Sequence, residues 1–366
     1  MAYTKEERRR LWLNQADMAA RKLGKLLDIY GSAEEVWEVF SPAMEKALGQ
    51  GTYRTLHKYH GEQEMEDVLS AMAAKNIRAL FPGGEDYPPL LESISCPPPV
   101  LYALGDPAIL SGRAIALVGT RTPSRYGKDM AHSLGRELGQ KGVTVVSGFA
   151  RGIDTAAHEG CLEASGKTAA VLGCGLDTVY PPENKELFQK VMACGGLFLS
   201  EYPLGSKPAN YHFPDRNRIL SGVSHGVVLL EGQLKSGGMI TVGHALEQGR
   251  EVFTLPGPVG REGFEAPHKL MREGARPVTC ADDIFEDMGW ELGEKPKSTQ
   301  QVSIPAVPGQ EQVTSLLRRE DLTFEELASH LQMPAAPLNS LLTILELAGI
   351  IKKSAGNLYS LTGSHA

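Results

Sequence analysis

Seven basic residues sit in turns rich in glycine, serine or asparagine. Arg121 and Arg125 lie in GTRTPSRYG, Arg151 in SGFARGID, Lys207, Arg216 and Arg218 in SEYPLGSKPANYHFPDRNR, and Lys235 in EGQLKSGG. The chemistry they could do is anion binding. Glycine lets backbone amides approach an anion closely, serine adds a hydroxyl donor, and arginine presents a planar fork to phosphate oxygens. Phe213 stands among them in a Pro-bearing loop of about a dozen residues, too long for a mere connector. It would serve either as a core anchor for that loop or as a platform for an unpaired base. Tyr126 and Tyr211 admit the same two roles, with loop support ahead.

Other chemistries fail on spacing. A dinucleotide fold wants G-x-G-x-x-G after its first strand, and the chain has Gly119-Thr120-Arg121 there and Ser147-Gly148 after the second. In GCLEASGKT, Gly160 stands one residue too far from Gly166-Lys167-Thr168 for a phosphate loop, and the tract joins helix to strand instead of strand to helix. Ser147 lacks the G-x-S-x-G elbow of a hydrolase. Asp154 and His158, four apart on one helix, read as a helix-start carboxylate meeting exposed amides, with the histidine bonded to it or packed beside it. The five cysteines are far apart, without C-x-x-C, and His57 with His60 reads as a solvated helix face. No catalytic residue, metal site or cofactor is expected.

The elements that must position the basic loops are legible in the pattern. From Ala114, short β-branched runs alternate with helical ones: AIALV, VTVVS, TAAVLG, GLFLSE, GVVLLEG and EVFTLPG, with helices between. Continuous apolar strands separated by helices predict a doubly wound α/β domain whose parallel sheet is covered on both faces. In such a sheet ligands bind beyond the carboxyl ends of the strands, where the glycine-rich loops fall. Residues 1–80 read as a helical domain, with Ser32 capping AEEVWEVF, and 81–291 as the α/β domain, entered through an extended connector carrying seven prolines from Pro82 to Pro107. Residues 292–309 read as a linker. Residues 310–366 predict a winged helix: three helices, with a Thr323/Glu326 capping box on the second and Gly349 ending the third, then a hairpin turning at Ala355-Gly356-Asn357.

Composition bounds the answer. The 366 residues are 42% hydrophobic and 22% charged, with a net charge of −7, which excludes a chain that coats nucleic acid through bulk positive charge. The distribution is more informative: residues 113–154 hold seven basic and three acidic side chains and supply the first two ligand-edge loops. No apolar run approaches the roughly 18 to 20 residues of a membrane helix, and the N-terminus has no apolar signal core. A cytoplasmic protein without a membrane partner is expected.

Taken together, DYPPLL, PPPVLYALGD, VGTRTPSRYG, VVSGFARGIDTAAH, AVLGCGLDTVYPPEN, LSEYPLG, FPDRNRILSG, LKSGGMIT, GREVFTLPG and REGARPV resemble the DNA-processing protein A (DprA/Smf) family over roughly residues 81–280. The resemblance implies an extended Rossmann-like domain, an N-terminal helical domain of the sterile-alpha-motif type and a C-terminal winged helix. It implies a non-enzymatic homodimer that binds single-stranded DNA and hands it to the RecA recombinase in natural transformation and recombination. Carried residue by residue, the DNA site would use Gly119, Thr120 and Arg121, Ser147 and Gly148, Phe213, Arg216, Asn217 and Arg218, and Lys235, Ser236 and Gly237, with Arg125 and Arg151 nearby. The loop REGFEAPHKL departs from the family pattern at Gly263 and Ala266, and the N-terminal region lacks a helix-hairpin-helix signature.

Three functions follow from these readings. The first is the single-strand binder, in which alanine at Arg216 and Arg218 weakens DNA binding and leaves the fold intact. The second is a Rossmann-type nucleotide hydrolase of the phosphoribohydrolase kind, whose P-G-G-x-G-T-x-x-E is missing. The third is a duplex-specific regulator, disfavoured because the third winged-helix segment, APLNSLLTILELAG, has no Lys or Arg with which to read a groove. That segment reads better as a protein-interaction or regulatory module.

Overall fold

The computed structural model describes residues 3–291, 309–348, 350–354 and 358–361. The proposed linker, apart from Gly309, lies outside the described residues, as do the helix-ending Gly349 and the hairpin turn at 355–357. Residues 1–291 form one compact unit and 292–366 another.

The first unit opens with helices α1 (Lys5–Asn14), α2 (Ala20–Tyr30), α3 (Ala33–Val39), α4 (Glu45–Leu48), α5 (Gln50–Lys58) and α6 (Glu62–Ala74). Strands β1 (Ile77–Leu80) and β2 (Leu101–Leu104) flank the short α7 (Pro89–Glu92). The alternation then runs β3 (Ala114–Val118), α8 (Arg125–Gln140), β4 (Thr144–Ser147), α9 (Ile153–Glu163), β5 (Thr168–Val171), α10 (Lys185–Ala193), β6 (Leu197–Ser200), α11 (His212–Gly222), β7 (Gly226–Leu229), α12 (Gly237–Glu247), β8 (Glu251–Thr254), α13 (Glu265–Arg272), β9 (Arg276–Pro277) and α14 (Ala281–Asp287).

The strands form one sheet in the order β1-β2-β6-β5-β4-β3-β7-β8-β9. From β6 to β9 every pairing is parallel, as the apolar runs predict. The sheet is larger than predicted, because β1 and β2 extend it with antiparallel pairings. β1 falls in the stretch read as helical, and β2 in the Pro-rich connector, whose prolines flank the strand and leave its own four amides intact. Pro277, by contrast, sits on the edge strand β9, where a missing ladder donor is tolerated.

Strand periodicity sends alternate residues to opposite faces. Ala114, Ala116 and Val118 pack with Leu220 of α11, Val242 of α12 and Leu270 of α13, whereas Ile115 and Leu117 pack with Leu134 of α8, Ala157 of α9 and Phe285 of α14. The N-terminal helices are held to the sheet: Leu11, Trp12 and Leu13 share a core with Tyr102, Ala170 and Phe198. Tyr102 donates to Asn14 Oδ1 (2.8 Å), and Asn14 Nδ2 donates to the Glu201 carbonyl (3.2 Å). His60 is not on a solvated helix face. It follows α5 and packs between Trp12, Trp37 and Phe40, its Nε2 3.0 Å from the Trp37 carbonyl.

In the second unit α15 (Gln310–Leu317), β10 (Leu322–Thr323), α16 (Phe324–Leu331), α17 (Ala335–Leu347), β11 (Ile351–Ser354) and β12 (Leu358–Leu361) make three helices and a sheet in the order β10-β12-β11. The capping box is present, with Thr323 N–H donating to Glu326 Oε2 (2.8 Å) and Glu326 N–H to Thr323 Oγ1 (3.3 Å). Leu327, Leu338, Leu342 and Tyr359 form its core. Among the described residues, no helix is long and apolar enough to cross a membrane, and no three His, Cys, Asp or Glu side chains group as metal ligands.

Candidate nucleic-acid interface

The strand order reverses around β3. From β3 the chain steps outward through β4, β5 and β6, then returns to the other side of β3 with β7. Such a switch point leaves a crevice at the carboxyl ends of the strands. A cavity of about 450 Å³ opens there, lined by Gly119-Thr120-Arg121, Asp154, Phe213, Arg216, Asn217 and Ser236-Gly237-Gly238, among others.

Backbone contacts lock the loops together. Thr120 N–H donates to the Glu231 carbonyl (2.8 Å), and Ile153 N–H donates to the Thr120 carbonyl (3.2 Å). Gly152, at φ +81°, must be glycine on two counts, since a Cβ there would also lie 2.5 Å from the Thr120 carbonyl oxygen. The buried Glu231 carboxylate accepts from the Ser124 amide and, at 2.8 Å, from its hydroxyl, fixing the entry to α8. Sequence reasoning missed Glu231, although a carboxylate ending the apolar run GVVLLEG was a usable signal. Helix α12 begins at the cavity wall, where its N-cap Ser236 makes no capping bond and its buried Oγ has no hydrogen-bond partner among the described residues. The first amides of α12 are thus left uncapped by their own N-cap residue at a site suited to an anion.

Arg216 forms the floor. It is 4% exposed; its Nη1 donates to the Gly148 carbonyl (2.8 Å) and to the Val171 carbonyl, and its Nε donates to Asn217 Oδ1 (3.3 Å). A Cβ on Gly148 would lie 2.7 Å from both Arg216 Nη2 and Asp154 Oδ2, so only glycine lets the loop run between these two charges. Burial lowers the Arg216 guanidinium to about 10, partly opposed by the Asp154 carboxylate. Burial likewise pushes Asp154 up to about 6, against Arg216 and the amides of Ala150 and Gly148. Those amides donate to Asp154 Oδ2 at 3.2 and 3.1 Å, so the carboxylate caps the preceding loop and not the helix start. His158 is neither bonded to it nor an acid/base partner. Its Nδ1 lies 2.6 Å from Thr168 Oγ1, and burial lowers the imidazole to about 3.

Phe213 lies in the first turn of α11, where Pro214 is tolerated, and not in a loop. Its ring stands 5.2 Å from the Arg121 guanidinium carbon and 5.8 Å from the ring of Tyr180, a half-exposed aromatic that sequence reading passed over in GLDTVYPPEN. An apolar plane, an exposed cation and a helix N-terminus therefore share one cleft, the combination that a base and its phosphate require. Tyr126 supports a loop, donating to the Pro256 carbonyl (2.9 Å), and Tyr211 is exposed.

The structure separates other residues from this cleft. Ser147 is fully buried, its hydroxyl donating to the Leu117 carbonyl (2.6 Å). Arg125, on the first turn of α8, is exposed and 3.6 Å from Asp129. Arg151 pairs with Glu183 (Nε to Oε1, 2.9 Å) beside a smaller cavity that also meets Gly148 and Phe213. Lys207 and Lys235 are exposed, Lys235 next to the cleft-lining Ser236. Arg218 points away, into a different cavity. Its two Nη atoms each lie 2.7 Å from the Glu201 carboxylate, and Nε donates to the Cys96 carbonyl (3.1 Å). Burial works against its charge, but Glu201 overrides this and holds the guanidinium above its ordinary range. The loop REGFEAPHKL braces the site through Gly232 N–H donating to the Gly263 carbonyl (2.7 Å).

Fold and cleft define a Rossmann-type α/β protein with a glycine- and arginine-lined cleft at the switch point, no dinucleotide fingerprint and an appended winged helix. The family model of DNA recombination-mediator protein A matches residues 78–289, and that of the DprA winged helix domain matches 297–357. The chain belongs to the DNA recombination-mediator protein A (DprA/Smf) family. It is 44% identical to DNA processing protein DprA of Bacillus subtilis over 60% of this chain and 74% of that one, and 40% identical to protein Smf of Escherichia coli over 63% and 62%. Among solved structures, DNA processing protein A from Streptococcus pneumoniae superposes with a TM-score of 0.62 at 28% identity, covering 80% of this chain and all of that one. DNA processing protein A from Helicobacter pylori, whose structure is described for its unique single-stranded DNA binding mode, gives 0.52 at 30% identity over 58% and 95%.

Proposed function

We propose that this protein binds single-stranded DNA in the switch-point cleft, protects an incoming strand and loads the RecA recombinase onto it in natural transformation and recombination. It acts as a cytoplasmic homodimer and catalyses no reaction of its own. The observation that carries the reading is the meeting of Phe213, Arg121 and the N-terminus of α12 in one open cleft. Phe213 stacks on a base, Arg121 and the α12 amides take phosphate oxygens, and the buried Arg216 supplies a fixed positive charge beneath them. The solved relative from Helicobacter pylori, with its single-stranded DNA binding mode, supports the substrate class. Absence of catalysis is supported by the engagement of the reactive groups: the Ser147 hydroxyl is bonded to a carbonyl, and Asp154 and His158 are bonded apart from one another. The winged helix serves as a protein-interaction or regulatory module, in keeping with the uncharged surface of α17 apart from Glu346.

The test is fluorescence anisotropy of labelled oligothymidine and of duplex DNA across a salt series, with free-base release from nucleoside monophosphates assayed alongside. The proposal expects preference for the single strand, affinity falling linearly with salt on logarithmic axes, and no base release. Preference for a palindromic duplex, or release of free base, would replace it with the regulator or the hydrolase.

A further inference from the structure

A second cavity, of about 350 Å³, lies on the other side of α11 from the cleft, walled by the α1–α2 turn, the segment before β2, the end of β6, α11 and the last turn of α12. Its size is that of a small-molecule site. Two of its buried polar atoms, one on His212 and one on Gln248, have no hydrogen-bond partner among the described residues.

The guanidinium of Arg218 is spent on Glu201 and the Cys96 carbonyl. Gln248 Nε2 donates to the Arg218 carbonyl (3.0 Å), which leaves Oε1 as a buried acceptor without a hydrogen-bond partner among the described residues. His212 is 2% exposed, and its Nδ1 lies 3.1 Å from the Gly173 carbonyl. A carbonyl only accepts, so Nδ1 donates to it, and in the neutral ring Nε2 is then the atom that carries the lone pair. That Nε2 has no hydrogen-bond partner among the described residues; the group it faces is Asp17 Oδ2, 3.4 Å away and also an acceptor. Asp17 Oδ2 already accepts from the Ser206 hydroxyl (2.9 Å), so the buried Nε2 is left without a donor, and leaving such an atom unmatched is costly.

The charge points the same way. With Glu201 offset by Arg218, the carboxylates of Asp17, Asp215 and Glu247 line the cavity against one further arginine, the exposed Arg21. Tyr211, 66% exposed, adds an aromatic surface on which a cation can rest. An anion is repelled here, and an apolar ligand would leave the acceptors unmatched. An ammonium group answers both needs with three N–H donors and a positive charge. We propose that this cavity binds an alkylammonium ligand of the polyamine type, whose N–H groups donate to His212 Nε2, Asp17 and Gln248 Oε1.

The experiment is calorimetric titration of spermidine into the DNA-free full-length protein at fixed ionic strength. The proposal expects saturable binding, weakened at least tenfold by the isosteric pair Asp17→Asn and Asp215→Asn and about threefold by Glu247→Gln at an exposed position. Oligothymidine binding by these variants stays within twofold of the parent, which shows that the fold and the cleft are intact. Titrating N-acetyl-lysine methylamide separates two sources of the same chemistry. Tighter binding of spermidine assigns the site to a free polyamine, and tighter binding of the lysine derivative assigns it to a partner's lysine side chain. Heat that does not saturate, or variants that bind both probes within twofold of the parent, overturns the proposal.

Discussion

The two faces of α11 carry arginines two residues apart with opposite fates. Arg216 turns toward the cleft beside Phe213 and Asn217, facing Asp154 across Gly148 with no closely paired carboxylate. Arg218 turns the other way and closes a bidentate ion pair with Glu201. The difference shows that an arginine near a ligand edge is assigned by its counter-charge and not by its neighbours in sequence. A guanidinium already matched by a carboxylate has little left to offer a phosphate. One held only by carbonyls, with its acidic neighbour pushed toward neutrality, still projects positive charge.

The largest test of this contrast is Arg216→Ala. It removes the donors to the Gly148 and Val171 carbonyls and leaves Asp154 buried without its opposing charge, so unfolding in urea is expected to show a loss of about 3 to 5 kcal/mol. Alanine at this position is expected to weaken the fold, where the sequence reading expected it to stay intact, because Arg216 is part of the buried floor and not a surface ligand. Next is Arg218→Ala, which leaves Glu201 buried and unpaired. A loss of about 2 to 3 kcal/mol is expected, and a double-mutant cycle with Glu201→Gln should return a large coupling, the second substitution costing little once the first is made.

Phe213→Leu keeps an apolar side chain in place and removes the stacking plane. Oligothymidine affinity should fall by about 1 to 3 kcal/mol, read by anisotropy, with little change in the urea midpoint. A smaller effect concerns Asp154. Its folded value of about 6 exceeds the ordinary 3.8, so between these pH values the native state holds a proton that the unfolded chain has lost. Stability therefore falls as pH rises through that window and levels off above it. Asp154→Asn should remove this part of the slope in urea midpoints measured from pH 4 to 7.

Much of this was legible in the sequence, and the failures have physical causes. Six of the seven parallel strands announced themselves because a sheet covered on both faces needs unbroken apolar runs. The glycine-rich turns were legible because backbones that approach closely exclude side chains. The fates of Arg216 and Arg218 were not. FPDRNR was read as loop because of Pro214, yet proline fits the first turn of a helix, and only as helix do two residues 200° apart fall on opposite faces. Their assignment also depends on Glu201 and Asp154, brought near by the sheet and not by the local chain. β2 was hidden by the prolines around it, and the docking of the N-terminal helices by contacts such as Asn14 with Glu201, which no local pattern encodes.

The most direct test compares Arg121→Ala with Arg218→Ala in oligothymidine anisotropy across a salt series. Both variants lose one positive charge, but only Arg121 is exposed in the cleft beside Phe213. The account predicts that Arg121→Ala weakens binding by about tenfold and reduces the salt slope by about 1, while Arg218→Ala leaves the slope unchanged. A reduced slope for Arg218→Ala with an unchanged slope for Arg121→Ala would contradict the placement of the DNA site on the cleft side of α11.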